Sequence, residues 1–143
     1  FTGLPHRMQW VADKGGVEYY NDSKATNVAA AIGSINSFDK PVILLAGGLP
    51  KGADLSPLGQ AAQGKLKGAV VMGTAADQLT RILAEACPVE RATDMYQAVD
   101  LGAAMAQPGD VVLLAPACAS FDMFSNYASR GEAFVEAVEE LEA

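Results

Sequence analysis

Three short segments of almost uninterrupted apolar residues constrain the fold more than any other feature of this sequence. They lie at residues 41–46, 68–72 and 110–114, and glycine or an Ala-Pro pair follows each of them. Strands read as continuous apolar runs when a parallel sheet is covered on both faces. Helical patterns with apolar residues at three- and four-residue spacing separate the three segments. The sequence therefore predicts a parallel α/β sheet.

Further strands and helices extend this alternation. Residues 17–21 are β-branched and aromatic, residues 88–92 form a weaker strand, and residues 8–12 precede a Gly-Gly turn and predict an antiparallel strand. Helices are predicted at residues 26–37, 55–66, 75–87, 95–107 and 126–142. We expect an α/β, doubly wound, mostly parallel sheet of five to six strands with helices on both faces and right-handed crossovers.

The composition excludes several classes of protein. The chain has 143 residues, of which 50% are hydrophobic and 19% charged, so it is long enough for one domain with a core and is not disordered. No apolar run approaches 18 residues, so no membrane span is expected. The net charge of −7 argues against a nucleic-acid partner. Cys87, Cys118 and His6 lack the spacing of metal ligands, and no metal site is expected.

The cationic residues are concentrated near the start of the chain. Residues 1–51 hold five basic and four acidic residues, for a charge of +1, whereas residues 52–143 hold five basic and thirteen acidic residues, for a charge of −8. A glutamate-rich C-terminal helix face accounts for part of this difference. An acidic protein with one cationic segment is expected to use it on an anion.

The loops that follow the predicted strands carry the polar side chains. In open α/β sheets, ligands bind at the carboxyl ends of the strands, here the loops at 21–27, 47–54, 73–77 and 116–126. Helix N-termini offer N–H groups and a positive dipole end to phosphates and carboxylates. Lys24 and Lys51 would strengthen such an anion site.

These loops also allow plainer interpretations. Ser23, Thr26 and Ser120 could be helix N-caps, and the two lysines could be ordinary solvated side chains. Neither the Gly-Lys-Ser/Thr phosphate loop nor the G-x-G-x-x-G fingerprint is present. Cys118 with His6 as its base could be a nucleophilic pair, but a buried, inert cysteine is favoured. Asp22 alone could be a phospho-acceptor of a receiver-like module, although no acidic neighbours accompany it in the sequence.

Taken together and in order, the loop motifs resemble the C-terminal domain of the Mur ligases over essentially the whole chain. The motifs are Gly-Leu-Pro-His-Arg at 3–7, Asn-Asp-Ser-Lys-Ala-Thr-Asn at 21–27, Gly-Gly with Lys51, Pro-Ala-Cys-Ala-Ser-Phe-Asp-Met-Phe at 116–124, and Arg-Gly at 130–131. The resemblance is greatest to the branch of the family that adds D-glutamate to UDP-N-acetylmuramoyl-L-alanine.

The resemblance implies a bacterial, cytoplasmic enzyme of peptidoglycan precursor synthesis. It implies that ATP, with Mg²⁺, converts a substrate carboxylate to an acyl phosphate, which the amine of D-glutamate then attacks. It also implies three domains, of which residues 1–143 represent only the third. The N-terminal UDP-binding domain and the central ATP-binding domain, with its phosphate loop, would lie outside these residues, and the third domain by itself would be inactive.

The resemblance also assigns roles to individual residues. D-glutamate would be held by Thr26, Lys51, Ser120 and Phe121, and the nucleotide by Arg7, Asn21, Asp22 and Lys24. Lys24 would also be catalytic, near the ATP phosphates, together with His6 at the hinge to the central domain. The sequence departs from the family at Ala115, where a serine is expected, and in the Leu-Pro pair before Lys51. Two alternatives stay open: a folylpolyglutamate-type ligase domain with another amino acid, and a non-catalytic α/β binding module.

Overall fold

A six-stranded sheet forms the centre of the protein, which is described from a computed structural model over residues 6–120 and 123–141. The strand order is β1-β2-β6-β3-β4-β5. The strands are β1 (Gln9–Lys14), β2 (Val17–Asn21), β3 (Val42–Gly47), β4 (Leu66–Met72), β5 (Val89–Arg91) and β6 (Val111–Leu114). β1 pairs with β2 in antiparallel orientation, and every other neighbouring pair is parallel. The predicted fold class and the antiparallel first strand are confirmed.

Among the described residues, five helices cover the two faces of this sheet. They are α1 (Val28–Asn36), α2 (Pro57–Ala62), α3 (Ala76–Leu83), α4 (Met95–Met105) and α5 (Tyr127–Glu139). α1, α2 and α3 pack on one face against side chains such as Leu44, whereas α4 and α5 pack on the other against side chains such as Leu45. Because alternate residues of one strand point to opposite faces, β3 contributes to both cores.

The structure shortens several predicted helices. The largest difference is at α2, which spans six residues rather than the twelve predicted for 55–66. Leu66, predicted to end that helix, is instead the first residue of β4. Short apolar windows do not distinguish a buried helix from a buried strand, and here pairing of Leu66 with Val42 of β3 decides the outcome.

Candidate functional site

The polar loops of the sequence meet at one edge of the sheet. β2, β6 and β3 are adjacent and parallel, so their carboxyl ends lie side by side. The loop after β2 is bonded to the end of β6, because the N–H of Asp22 donates to the carbonyl of Leu114 at 2.8 Å. The loop after β6 is in turn bonded back, through the N–H of Ala117 and the carbonyl of Ala25 at 2.9 Å. The fold therefore builds a single polar edge from three loops, as expected for an open α/β sheet.

A cleft of about 420 Å³ opens on this edge beside α1. Its lining includes Arg7, Asp22 and Lys24, which are three of the residues that the sequence assigns to the nucleotide. Arg7 and Lys24 are exposed, whereas Asp22 is only 5% exposed. Two cations at the mouth of a cleft and one carboxylate in its wall suit a ligand that carries both anionic groups and hydroxyl donors.

The carboxylate of Asp22 is held by two donors. The backbone N–H of Met8 donates to Oδ1 at 3.1 Å, and the hydroxyl of Ser34 in α1 donates to Oδ2. Each carboxylate oxygen has two lone pairs, so both oxygens keep the capacity to accept a ligand hydroxyl. Ser34 has no role in the sequence prediction, because a buried serine within an apolar helical pattern gives no signal of a distant aspartate.

His6, which is half-buried, and Asn21 form one hydrogen-bonded network. Asn21 is fully buried, and its Oδ1 accepts the N–H of Ser23 at 3.1 Å. This fixes the orientation of the amide, whose Nδ2 lies 3.0 Å from Nδ1 of His6 and 3.1 Å from Oε1 of Gln9. Because Nδ2 can only donate, Nδ1 of His6 accepts, and the imidazole carries its proton on Nε2. In this arrangement the Asn21 side chain has no exposed surface that could make the predicted contact with a nucleotide. Its direct contacts are with His6, Gln9 and Ser23.

Tyr127, at the start of α5, also belongs to this edge. Its helical spacing from Phe134 and Val138 predicts a position on the buried face of the last helix, but it is 37% exposed. The ammonium of Lys24 lies 5.5 Å from the centre of its ring, and the His6 ring lies edge-on to it at 6.2 Å. An exposed aromatic side chain beside a cation can bind the apolar part of a charged ligand. Helical periodicity missed it because the first turn of a helix need not follow the core.

Lys51 is presented by a loop that is tied to the loop after β6. Leu49 and Ala119 form an isolated antiparallel bridge, with N–H to carbonyl distances of 2.8 and 3.0 Å. Gly48 permits this close approach, because a Cβ at its position would overlap the carbonyl oxygen of Ala119. Lys51 itself has a φ of 53°, a left-handed backbone conformation that is uncommon outside glycine. Its side chain is exposed at the same edge as Lys24.

The helix-cap interpretations of Ser23, Thr26 and Ser120 are wrong. Asn27 caps α1 by accepting the N–H of Ala30, and Asn126 caps α5 by accepting the N–H of Ser129. Thr26 is exposed next to the start of α1, whereas Ser120 is 3% exposed. Since α5 begins at Tyr127, Ser120 does not lie at the N-terminus of that helix as the sequence suggested. Phe121, the fourth residue predicted for D-glutamate, lies outside the described residues.

A buried arginine holds this edge together. Arg130 of α5 is 2% exposed and donates to the hydroxyl and carbonyl oxygens of Ser23, at 3.0 and 2.9 Å. It also donates to the carbonyl of Cys118 at 2.9 Å and reaches that of Gly47 at 3.5 Å. Its bonds therefore connect the loops after β2 and β6 with the last residue of β3. The sequence includes Arg130 in a motif, but its function as a clamp requires contacts between residues 107 positions apart.

The structure also bears on the hypotheses about the cysteines, a metal site and a membrane span. Cys118 is 2% exposed, which agrees with the favoured interpretation of a buried cysteine. Burial also raises the pKa of Cys87, the second cysteine. No group of three or more histidine, cysteine, aspartate and glutamate side chains in residues 6–120 and 123–141 could hold a metal ion. Among the same residues, no helix has the length and apolar character needed to cross a bilayer.

Comparison with known proteins identifies the family. Residues 6–118 match the model of the family described as Mur ligase, glutamate ligase domain. The chain belongs to this family. The resemblance inferred from the loop motifs is thereby confirmed.

Several closely similar curated proteins carry one name. A UDP-N-acetylmuramoylalanine–D-glutamate ligase of Pseudomonas fluorescens strain Pf0-1 is 50% identical over 99% of the chain, which covers 32% of that protein. The enzyme of the same name from Nitrosomonas europaea is 49% identical over 99% of the chain, which covers 30% of that protein. This Mur ligase domain thus spans about a third of the length of the curated relatives it matches.

Solved structures confirm the fold at lower identity. A MurF ligase from Thermotoga maritima in complex with ADP superposes with a TM-score of 0.67 at 20% identity, over 98% of the chain and 32% of that structure. A bifunctional folylpolyglutamate synthase/dihydrofolate synthase from Yersinia pestis gives 0.66 at 20% identity, over 97% of the chain and 32% of that structure. Both kinds of ligase share this fold, so the fold by itself does not distinguish between their substrates.

Proposed function

We propose that this chain is the amino-acid-binding domain of an ATP-dependent ligase that joins D-glutamate to UDP-N-acetylmuramoyl-L-alanine in peptidoglycan precursor synthesis in the bacterial cytoplasm. The observation that carries the proposal is the 50% identity, over 99% of the chain, with a ligase of that name. Identity of this level favours D-glutamate over the substrates of the folylpolyglutamate synthases, which share the fold at 20% identity.

In this proposal the polar edge has two parts: the cleft binds the nucleotide, and the region around Lys51 and Thr26 binds D-glutamate. In the cleft, Arg7 and Lys24 supply positive charge for the phosphates of ATP, and Asp22 accepts hydrogen bonds from ribose hydroxyls. A cation at Lys24 also stabilises negative charge that develops during phosphoryl transfer. Asn21, being buried, acts on the nucleotide indirectly by orienting His6. We also propose that His6 lies at the hinge to the central domain of the full-length ligase.

The second part of the edge would hold D-glutamate. Lys51 supplies an ammonium group and Thr26 a hydroxyl to its carboxylates, and both side chains are exposed for that purpose. Ser120 is 3% exposed and so contributes only from the floor of the site, and Phe121 completes the predicted set. We add Tyr127 to this proposal, because its ring lies beside the ammonium of Lys24.

ATP and the sugar nucleotide would be bound largely by parts of the enzyme outside these residues. The chain has no Gly-Lys-Ser/Thr phosphate loop, and Asp22 is the only acidic residue among the described side chains that line the cleft. One carboxylate is a poor site for Mg²⁺, which usually takes several oxygen ligands. We therefore place the Mg²⁺ that such ligases require outside this domain.

Substitution of Lys51 in the full-length ligase tests the D-glutamate site. A hydrogen bond to a charged group contributes about 1.5–3 kcal/mol, so Lys51→Ala should raise the KM for D-glutamate by roughly 10- to 150-fold. Lys40→Ala is the matched control, because Lys40 is an exposed lysine that precedes β3, at the opposite edge of the sheet from Lys51. Its KM should stay at the wild-type value.

Two results would contradict the proposal in different ways. An unchanged KM for D-glutamate in Lys51→Ala would remove Lys51 from the site while leaving the function intact. A wild-type ligase that releases phosphate with glutamate-accepting folates, and not with UDP-N-acetylmuramoyl-L-alanine and D-glutamate, would overturn the function itself. Phosphate release with each pair of substrates distinguishes the two cases.

A further inference from the structure

We propose that Ser34 is a positioning residue for the nucleotide cleft, which it serves by holding the carboxylate of Asp22 in place. The inference rests on the proposed function for the role of Asp22. It concerns a residue within α1 that also lines the cleft, beside the loop that carries Asp22. The observation behind it is the hydrogen bond from the Ser34 hydroxyl to Oδ2 of Asp22, two side chains that are 7% and 5% exposed.

The backbone of Asp22 is already fixed, so only its side chain can still move. Its N–H donates to the carbonyl of Leu114 at 2.8 Å, and its carbonyl accepts the N–H of Ala25 at 2.8 Å. The carboxylate is then held at Oδ1 by the N–H of Met8 and at Oδ2 by Ser34. Of these two donors, Ser34 is the one supplied by a side chain, and so it is the one that a substitution can remove.

The Ser34 hydroxyl has two acceptors within hydrogen-bonding distance, so its single proton can go to either of them. The Ser34 hydroxyl also lies 3.0 Å from the carbonyl of Ala30, the usual partner of a serine four residues later in a helix. A hydroxyl has one proton, and an ionised carboxylate is a stronger acceptor than a neutral carbonyl. The proton is therefore directed to Asp22.

Loss of this bond would leave Asp22 facing two cations. Arg7 and Lys24 line the same cleft, and a carboxylate released from Ser34 would turn toward them. Asp22 would then be neither oriented toward ribose hydroxyls nor available to them, and part of the positive charge meant for phosphates would be neutralised. The bond from Met8, which depends on the same carboxylate, would weaken as well.

Ser34→Ala tests this in two independent measurements. In the chain itself, amide hydrogen exchange of Met8 should become several-fold faster, because its acceptor is no longer fixed. In the full-length ligase, the KM for ATP should rise about 5- to 20-fold, while kcat and the KM for D-glutamate stay near their wild-type values. A higher KM with an unchanged kcat is expected when a substitution weakens ATP binding equally in the ground state and the transition state. The helix itself should persist, because alanine is well tolerated in helices.

Ser56→Ala is the matched control. The Ser56 hydroxyl also donates to an aspartate, Asp54, at 2.5 Å, but that pair is exposed and lies before α2, outside the cleft. This variant should leave both the Met8 exchange rate and the KM for ATP unchanged.

Each contrary result overturns a different step. Unchanged Met8 exchange in Ser34→Ala would show that Ser34 does not hold Asp22. Faster exchange with an unchanged KM for ATP would show that the position of Asp22 does not matter to the nucleotide. A lower kcat together with a higher KM for D-glutamate would indicate a general structural role instead. A wild-type ligase that consumes no ATP would overturn the proposed function and the nucleotide step with it, whereas the exchange measurement would still report on the contact.

Discussion

At the level of single residues, the polar edge depends on small side chains that leave room for larger ones. Gly131 in α5 is the clearest case, because a Cβ at its position would overlap Nδ1 of the His6 ring and approach Nδ2 of Asn21 to 3.0 Å. The glycine thus allows the network of His6 and Asn21 to pack directly against the helix. Gly33 in α1 is a useful contrast, since a Cβ there would meet no atom within 4 Å.

These two helical glycines predict opposite outcomes for the same substitution. Gly33→Ala should raise the free energy of unfolding by about 0.5–1 kcal/mol, the usual gain of alanine over glycine in a helix. Gly131→Ala should instead lower it by about 1 kcal/mol, because the His6 ring is displaced and the buried amide of Asn21 loses a partner. Denaturant unfolding of both variants measures the difference.

The single histidine provides a direct check on that explanation. His6 is the one histidine of the chain, so its ring gives one set of NMR signals. The signals should shift in Gly131→Ala and stay unchanged in Gly33→Ala. Equal spectra in the two variants would show that Gly131 is not needed for the placement of His6.

At the level of elements, α4 and α5 are joined by a tyrosine on the surface of the protein. Tyr96 of α4 is 43% exposed, and its hydroxyl shares its one proton between hydrogen bonds to the carboxylates of Glu136 in α5 and of Glu140, the C-cap residue that follows α5. These hydrogen bonds, chiefly that to Glu136, raise the pKa of Tyr96 to about 12. The protonated phenol is the form that the two carboxylates stabilise.

This shift gives the helix pair a defined response to high pH. A pKa raised above the unfolded value of 10.0 stabilises the protein fully below that pH, and the contribution is lost as the pH rises toward 12. In a titration of the wild-type chain, the absorbance of tyrosinate should therefore show a step near pH 12 from Tyr96. Burial also raises the pKa of Tyr19 and of Tyr20, so this step should lose the amplitude of one tyrosine in Tyr96→Phe. In Glu136→Gln the contribution of Tyr96 should move to lower pH.

Glu132→Gln is the control for this titration, because Glu132 lies one turn earlier on α5 and is equally exposed. Its tyrosinate step should match the wild type. A Tyr96 step that does not move in Glu136→Gln would show that the bond between the two helices does not form in solution.

At the level of the whole molecule, the two cores are coupled through the central strands. Val42, Leu44 and Ala46 of β3 belong to the core under α1, α2 and α3, while Ile43 and Leu45 belong to the core under α4 and α5. Neither face can lose its helices without exposing the strand that supports the other. The apolar residues of β6 alternate between the two cores in the same way.

The chain is therefore expected to unfold in one cooperative transition. Trp10, its single tryptophan, lies on the edge strand β1 and reports by fluorescence on one end of the sheet. Far-ultraviolet circular dichroism reports on all five helices. The two signals should give coincident melting curves, which is the usual test of two-state behaviour. Separate midpoints would mean that the faces unfold independently.

The sequence determined the order and type of the elements, since apolar periodicity is a local property and eleven elements follow one another as predicted. It also located the three loops and, through their motifs, the family. The ends of the helices were less well predicted, as at α2, because they depend on pairing with other parts of the chain.

Which polar residues face a ligand, and which hold the site together, depends on contacts between distant parts of the chain. Asn21 and Asp22 lie within three positions of Lys24 in the sequence, yet the first two are buried and the third is exposed. Ser34 and Arg130 hold the site through hydrogen bonds to partners that are 12 and 107 positions away in the sequence. A hydrogen bond between distant residues leaves no periodic trace in a single sequence, because it depends on geometry that the whole fold creates.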